Sequence, residues 1–308
     1  MASKPTCRIY AIMARDGRSA VVFRRGPSKR VLLLRWWVTS DTIERGQWFK
    51  GMLYPRASDL SPDGELLVYN AEKYNYRLPE KQWTAISRPP CLTALKIWFG
   101  GGRYWGGGIF EDQTTIDLDL SEKERRQGEG RADDGRLKIA PTGPTAGRGS
   151  LLIEHRRRTR DGWQLTSSDQ PVTWEKTKVG NVWARPALPL VYEMPCPDRQ
   201  RAIRAPKLRH EIQSWDEWPS LNPTDVYTLV DPSERTLRSL DGCSWADWQA
   251  TGDLLFAIGG CLYRLPYKHV DTNAAHGLDG AKLVADLTDL TFEEVVAPPE
   301  ALEWPGRG

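Results

Sequence analysis

Leu60-Ser61-Pro62-Asp63-Gly64-Glu65-Leu66-Leu67-Val68-Tyr69 is a tight polar turn that runs straight into an apolar strand, and its reading decides the fold. Proline presets φ, and Asp-Gly supplies the positive φ that lets the chain double back between antiparallel strands. The stretch has relatives within the chain. Trp248-Gln249-Ala250-Thr251-Gly252-Asp253-Leu254-Leu255-Phe256-Ala257 repeats the Gly, the acid and the two leucines at matching offsets. Ala14-Arg15-Asp16-Gly17-Arg18-Ser19-Ala20-Val21-Val22-Phe23 repeats the Asp-Gly turn and the apolar run. Gly17 and Gly64 stand 47 positions apart and Gly64 and Gly252 188 apart, which is four such steps. The same step points to turns near residues 111, 158 and 205. Asp112-Gln113 and Asp161-Gly162 fall close to the first two, and Pro197-Asp198-Arg199 is the nearest candidate for the third.

A period of about 40–50 residues with several short strands per unit is the pattern of propeller blades, which bury their faces only by stacking on neighbours. The rung at 60–68 resembles the S-P-D-G-x-φ-φ signature (φ apolar) of TolB-type, WD40-like propeller repeats. Residues 251–252 keep its Gly but carry Thr251 for the Asp. Ser167-Ser168-Asp169-Gln170-Pro171-Val172-Thr173-Trp174 resembles the Asp-box of sialidase-type propellers through Ser167, Asp169, Thr173 and Trp174, with Pro171 replacing the Gly. In that family the boxes are structural corners away from catalysis. The resemblances imply an all-β fold, a β-propeller of six blades with five or seven as alternatives. Such rings are closed by N- and C-terminal strands, here Cys7 to Met13 with Lys282 to Leu287 and Phe292 to Val296. The reading is a single domain over 1–308 with a polar insertion around 121–149.

Composition narrows the function. A net charge of +3 from 43 basic and 40 acidic residues generates no overall field for nucleic acid or an anionic membrane. No stretch approaches the ~18 apolar residues of a membrane span, and Met1 to Ala14 holds no apolar run of signal-peptide length. The expected location is cytoplasmic. Five cysteines without a C-x-x-C pair read as reduced, buried small apolar residues, with no metal and no cofactor expected.

The candidate binding residues come from unusual local composition. Trp48-Phe49 lies in a polar and aromatic stretch, 39–54, that reads as a crossing loop. Arg103-Tyr104-Trp105 lies between two glycine triplets, which suits either a loop presenting an aromatic pair or an ordinary tight hairpin. Trp, Tyr and Arg most often anchor protein interfaces, so Trp48, Phe49, Arg103, Tyr104 and Trp105 are expected to form a binding surface. Arg156, Arg157 and Arg158, following Leu151-Leu152-Ile153, are candidates for anion contacts; a strand edge protected by charge accounts for the same run.

Catalytic patterns are sparse. The four histidines, at 155, 210, 269 and 276, form no i, i+4 pair and no H-E-x-x-H, and there is no G-x-S-x-G elbow. The expected function is a non-catalytic scaffold for a protein partner. The alternatives are a glycan-binding or glycan-cleaving propeller and a nucleic-acid-associated protein that uses its Arg-rich loops.

Overall fold

The computed structural model describes residues 7–26, 30–73, 81–100, 106–131, 135, 137–141, 150–167, 188–197, 205–213, 225–270 and 277–306. The chain divides into two compact units, Tyr10–Arg157 with Thr291–Gly308 and Met1–Ile9 with Arg158–Leu290.

The first sheet, whose opening strand begins two residues before the first unit, runs β1 (Arg8–Met13), β2 (Ser19–Arg25), β3 (Arg30–Trp37) and β4 (Thr42–Lys50) in that order. Strands β2 and β3 are buried on both faces, from Ala20 to Phe23 and Val31 to Leu34, so their apolar runs do not alternate. Stretch 39–54, expected as a crossing loop, contains β4, because its residues pair with β3 from Arg30↔Lys50 to Trp37↔Thr42.

Strands β5 (Met52–Leu53), β6 (Asp59–Leu60), β7 (Leu67–Glu72), β8 (Gln82–Ser87) and β9 (Ala94–Phe99) make a second sheet. A third holds β10 (Gly108–Phe110) and β11 (Thr115–Leu118). The described parts of the stretch expected as a polar insertion contribute short elements to these sheets. A capped turn of helix, α1 (Glu122–Arg125), precedes β12 (Glu129–Gly130), which pairs with β9, and β13 (Lys138–Ile139), which lies parallel to β11. Ser121 and Glu124 form the reciprocal cap that starts α1. One core cluster, including Val68, Ile86, Trp98, Phe110 and Leu118, joins the second and third sheets.

The second unit has two sheets. The fourth runs β14 (Gln164–Leu165), β15 (Leu190–Pro195), β16 (Lys207–Ile212), β17 (Val226–Val230) and β18 (Thr236–Ser239), and the fifth runs β19 (Cys243–Trp248), β20 (Leu254–Ile258), β21 (Cys261–Leu265) and β22 (Lys282–Asp286). The protein is therefore mostly β, with five sheets among the described residues, each built largely from one contiguous stretch of sequence.

Two expectations about topology need correction. The step predicted near 205 falls between β15 and β16, neighbours in one sheet whose pairing continues as Cys196 N–H to Pro206 O at 2.9 Å, so no new sheet begins there. The N- and C-terminal strands do not share a sheet: β1 belongs with β2–β4 and β22 with β19–β21. Phe292 to Val296 is not a strand at all.

The repeated turn is real at atomic level. Gly17, Gly64 and Gly252 have φ of 70°, 76° and 87°. Each donates its amide three residues back, to Ala14 at 2.9 Å, Ser61 at 2.9 Å and Gln249 at 2.8 Å. In the first two copies an aspartate closes the turn, Asp16 Oδ1 accepting from Arg18 N at 2.9 Å and Asp63 Oδ1 from Glu65 N at 3.0 Å. These turns open the first hairpin of three sheets, β1–β2, β6–β7 and β19–β20. The turn at 111–114 opens β10–β11 with Asp112 in the same role, accepting from Thr114 N at 2.7 Å.

Helix α2 (Ser150–Arg160) corrects the strand expected from Leu151-Leu152-Ile153. Its buried residues are Leu152, Ile153, Glu154, Arg157 and Arg158, a helical spacing in which three of the five side chains are charged.

Candidate interaction surface

The edge strand β4 carries the candidate site. Between Leu32↔Trp48 and Leu34↔Arg45 the register slips, so Gly46 and Gln47 face the single residue Leu33 as a β-bulge. The bulge turns the Gln47 amide away from β3 to donate to Pro90 O at 3.1 Å. Glycine is required at 46, because any Cβ there would run into the Pro90 carbonyl.

Gln47 then acts as a clamp. Its Oε1 accepts from Leu92 N at 2.7 Å, Thr93 N at 3.1 Å and Thr93 Oγ1 at 3.2 Å, and its Nε2 donates to Val295 O at 3.1 Å. One side chain thus holds a surface loop and the C-terminal segment against β4. Three residues before Val295, Phe292 lies 6.2 Å from the Trp48 ring and 4.4 Å from the Arg30 guanidinium. Beneath Trp48 the buried Arg24 guanidinium sits 5.6 Å from the indole. Farther along, Arg88 donates to Glu300 O at 2.8 Å while also pairing with Glu65 of the repeated turn at 3.1 Å. Ala301 is buried, Trp304 packs against the core of the second and third sheets, and its indole donates to Arg131 O at 3.3 Å.

The two halves of this C-terminal segment are held unequally. Residues 291–297 have one hydrogen bond, worth about 0.5–1.5 kcal/mol, and one exposed cation–ring contact, worth about 0.5–1 kcal/mol. The Trp48–Phe292 aromatic pair adds about 0.5–1.5 kcal/mol. Phe292 remains 48% exposed and Val296 84% exposed. The front half is the weakly held one, and the back half, with Ala301 and Trp304, is the anchor.

Trp48 and Phe49, expected together on one surface, occupy opposite faces of β4. Trp48 meets Phe292, and Phe49 meets Trp83 of β8 edge-on at 5.7 Å. Arg103, Tyr104 and Trp105 lie outside the described residues, as does the Asp-box resemblance from residue 168 onward. The neighbouring glycines of the second triplet are packed, with Gly107 donating to Thr84 Oγ1 at 2.7 Å.

The three arginines considered for anion contacts have partners within the fold. Arg156 bonds Asp117 Oδ2 at 2.7 Å and also pairs with Glu111. Buried Arg157 donates to Pro55 O at 3.0 Å, to Ser58 O and to the Tyr10 hydroxyl at 2.6 Å. Buried Arg158 lies over the Trp163 and Tyr192 rings at 5.0 and 5.2 Å. Glu154, also buried, completes the α2 network, 3.4 Å from both the Tyr10 hydroxyl and Arg56 Nε.

The cysteines are all free, and four of the five are buried. Burial pushes the Cys243 thiol up to about 12, which keeps it protonated and unreactive. His210 is fully buried, stacked on Tyr227 with ring centroids 4.0 Å apart and 3.4 Å from Asp225. Among the described residues no three His, Cys, Asp or Glu side chains are grouped to hold a metal ion, and no helix is long and apolar enough to cross a membrane.

Gln47 carried no signal in the sequence, since an amide in a strand resembles any solvated residue. The neighbouring Gly46 was the available clue, because an isolated glycine within a strand marks a bulge or a close backbone approach. No protein-family model matches the chain, and no curated protein matches it.

Proposed function

We propose that the chain is a non-catalytic β-propeller scaffold, its five described sheets serving as blades, that binds a protein partner on the β4 surface around Gln47 and Trp48. Two features support the propeller reading: each sheet is built largely from one contiguous stretch, and the same turn opens the first hairpin of several sheets. The observation that carries the binding function is that this surface already receives a peptide segment, gripping the Val295 carbonyl through Gln47 and the Phe292 ring between Trp48 and Arg30. An aromatic platform with an adjacent guanidinium and a fixed amide donor is the equipment of a peptide-recognition surface.

The test compares proteins recovered on the purified wild-type chain and on Trp48→Glu at matched melting temperature. The proposal expects at least one protein held stoichiometrically by the wild type and lost from the variant. Identical sets from both chains would overturn it.

A further inference from the structure

Resting on that partner-binding reading, we infer that the β4 surface recognises a linear acidic peptide led by an aromatic residue, and that residues 291–297 are a resident competitor occupying the same place. The occupant defines the chemistry. It offers an aromatic ring at one position and a backbone carbonyl three residues later, and Phe292 and Val295 fill those two roles against Arg30, Trp48 and Gln47. The segment 291–306 carries Glu293, Glu294, Glu300 and Glu303 and no lysine or arginine. The strand beneath exposes Arg45 and Lys50, with Glu44 its one acid.

Glu293 and Glu294 are exposed and make no ion pair with any described residue, so the resident segment leaves the charge attraction of this surface unused. A partner peptide with the same aromatic-to-carbonyl spacing, and acids placed to reach Arg45 and Lys50, would gain what the resident segment does not. The grip on 291–297 is also the weaker half of the C-terminal attachment. Exchange at that half leaves Ala301 and Trp304 in place.

The test uses fluorescence anisotropy with a labelled, end-blocked peptide of the sequence Thr-Phe-Glu-Glu-Val-Val-Ala-Pro and the full chain. The proposal expects weak binding to the wild type and at least tenfold tighter binding to Phe292→Ala, which removes the competitor's anchor and leaves the surface intact. It expects loss of binding when Trp48→Ala is added, and loss when the peptide phenylalanine is replaced by alanine. Because the peptide's two glutamates make no ion pair on the surface, replacing both with glutamine should change affinity less than about twofold. Moving the acids to positions that reach Arg45 and Lys50 should instead tighten binding several-fold and steepen its salt dependence. As a readout independent of any variant, saturating peptide should raise hydrogen exchange at 292–297 in the wild-type chain and leave 301–304 unchanged. Equal affinity for wild type and Phe292→Ala, together with unchanged exchange, overturns the competitor. Absence of peptide binding to every chain, while a protein partner is still lost with Trp48→Glu, overturns the peptide chemistry and leaves the partner-binding function standing.

Discussion

The amide of Asp16 donates to the carbonyl of Pro62 at 3.0 Å, so the first two copies of the repeated turn are bonded to each other. The third turn joins them. Gln113 Nε2 donates to Asp63 Oδ2 at 2.5 Å, and Arg15 donates to Glu111 O at 3.1 Å and Phe110 O at 3.3 Å. A motif first seen as a spacing in sequence is thus a physical contact between three sheets, and substitutions in it should be felt beyond their own hairpin.

Gly64 and Gly17 separate those two effects. Both have positive φ, but a Cβ at Gly64 would run into Ser19 Oγ and approach Ala14 Cβ at 3.3 Å, whereas at Gly17 it meets open space. Gly17→Ala should cost about 1–2 kcal/mol from backbone strain alone. Gly64→Ala should cost the same plus a packing penalty, for a total of about 2–4 kcal/mol. Urea unfolding of both variants checks this, and equal losses would mean that the turns do not pack on each other.

Asp63 gives the turn a pH signature. Burial works to raise its pKa, but the Ser61 hydroxyl, the Glu65 amide and the Gln113 carboxamide outweigh burial and hold it below its ordinary 3.8. A carboxylate with a depressed folded-state pKa contributes stability that is present above the unfolded value and lost as pH falls through the folded one. The wild type should therefore exceed Asp63→Asn in stability at neutral pH, and the gap should close on acidification, from just above pH 3.8 downward. A gap that is constant from pH 7 to pH 3 in denaturant titrations would exclude this role.

Much of this architecture was legible in the sequence because it rests on local backbone chemistry. Asp-Gly turns and apolar runs announce hairpins, and the glycines at 17, 64 and 252 all have the expected positive φ. What escaped is long-range or inverted in polarity. Helix α2 buries Glu154, Arg157 and Arg158, so its helical period was written in residues that normally mark a solvated face. The 47-residue step points to a new turn near 205, where β15 and β16 instead pair within one sheet, a partnership that spacing along the chain does not carry. Phe292 to Val296 has a strand's composition, yet its described contacts to β4 come from side chains: Gln47 with the Val295 carbonyl, and Trp48 with the Phe292 ring. Trp48 stood out as an aromatic; Gln47, which does the clamping, did not.

Arg157 tests the inverted helix. Arg157→Ala removes the donor to two carbonyls and the Tyr10 hydroxyl in a buried site, and should cost about 3–5 kcal/mol. Arg157→Lys keeps the charge, but a single ammonium cannot reproduce the guanidinium fork, so its loss should be intermediate. A melting temperature unchanged within a degree for Arg157→Ala would show that the network contributes nothing net.

Gln47 should be more sensitive to shape than to charge. Gln47→Ala strands the amides of Leu92 and Thr93 and should cost about 1–3 kcal/mol, with faster hydrogen exchange at both. Gln47→Glu keeps the acceptor for Leu92 and Thr93 but loses the donor to Val295, so exchange should rise at 295–297 and stay slow at 92–93. The reverse pattern would relocate the clamp.

The C-terminal segment also has a consequence in time. Its partners, Arg30, Gln47, Trp48, Arg88 and Arg131, lie far earlier in the chain than Phe292 and Trp304. At about 5–20 residues per second of synthesis, the stretch from Arg131 to Phe292 takes roughly 8–32 seconds to emerge. Throughout that interval the β4 face and the rim of the Trp98 core are uncovered on a nascent chain. They are open then to any chaperone or early partner that can seat an aromatic side chain, before the protein's own segment arrives to claim the place.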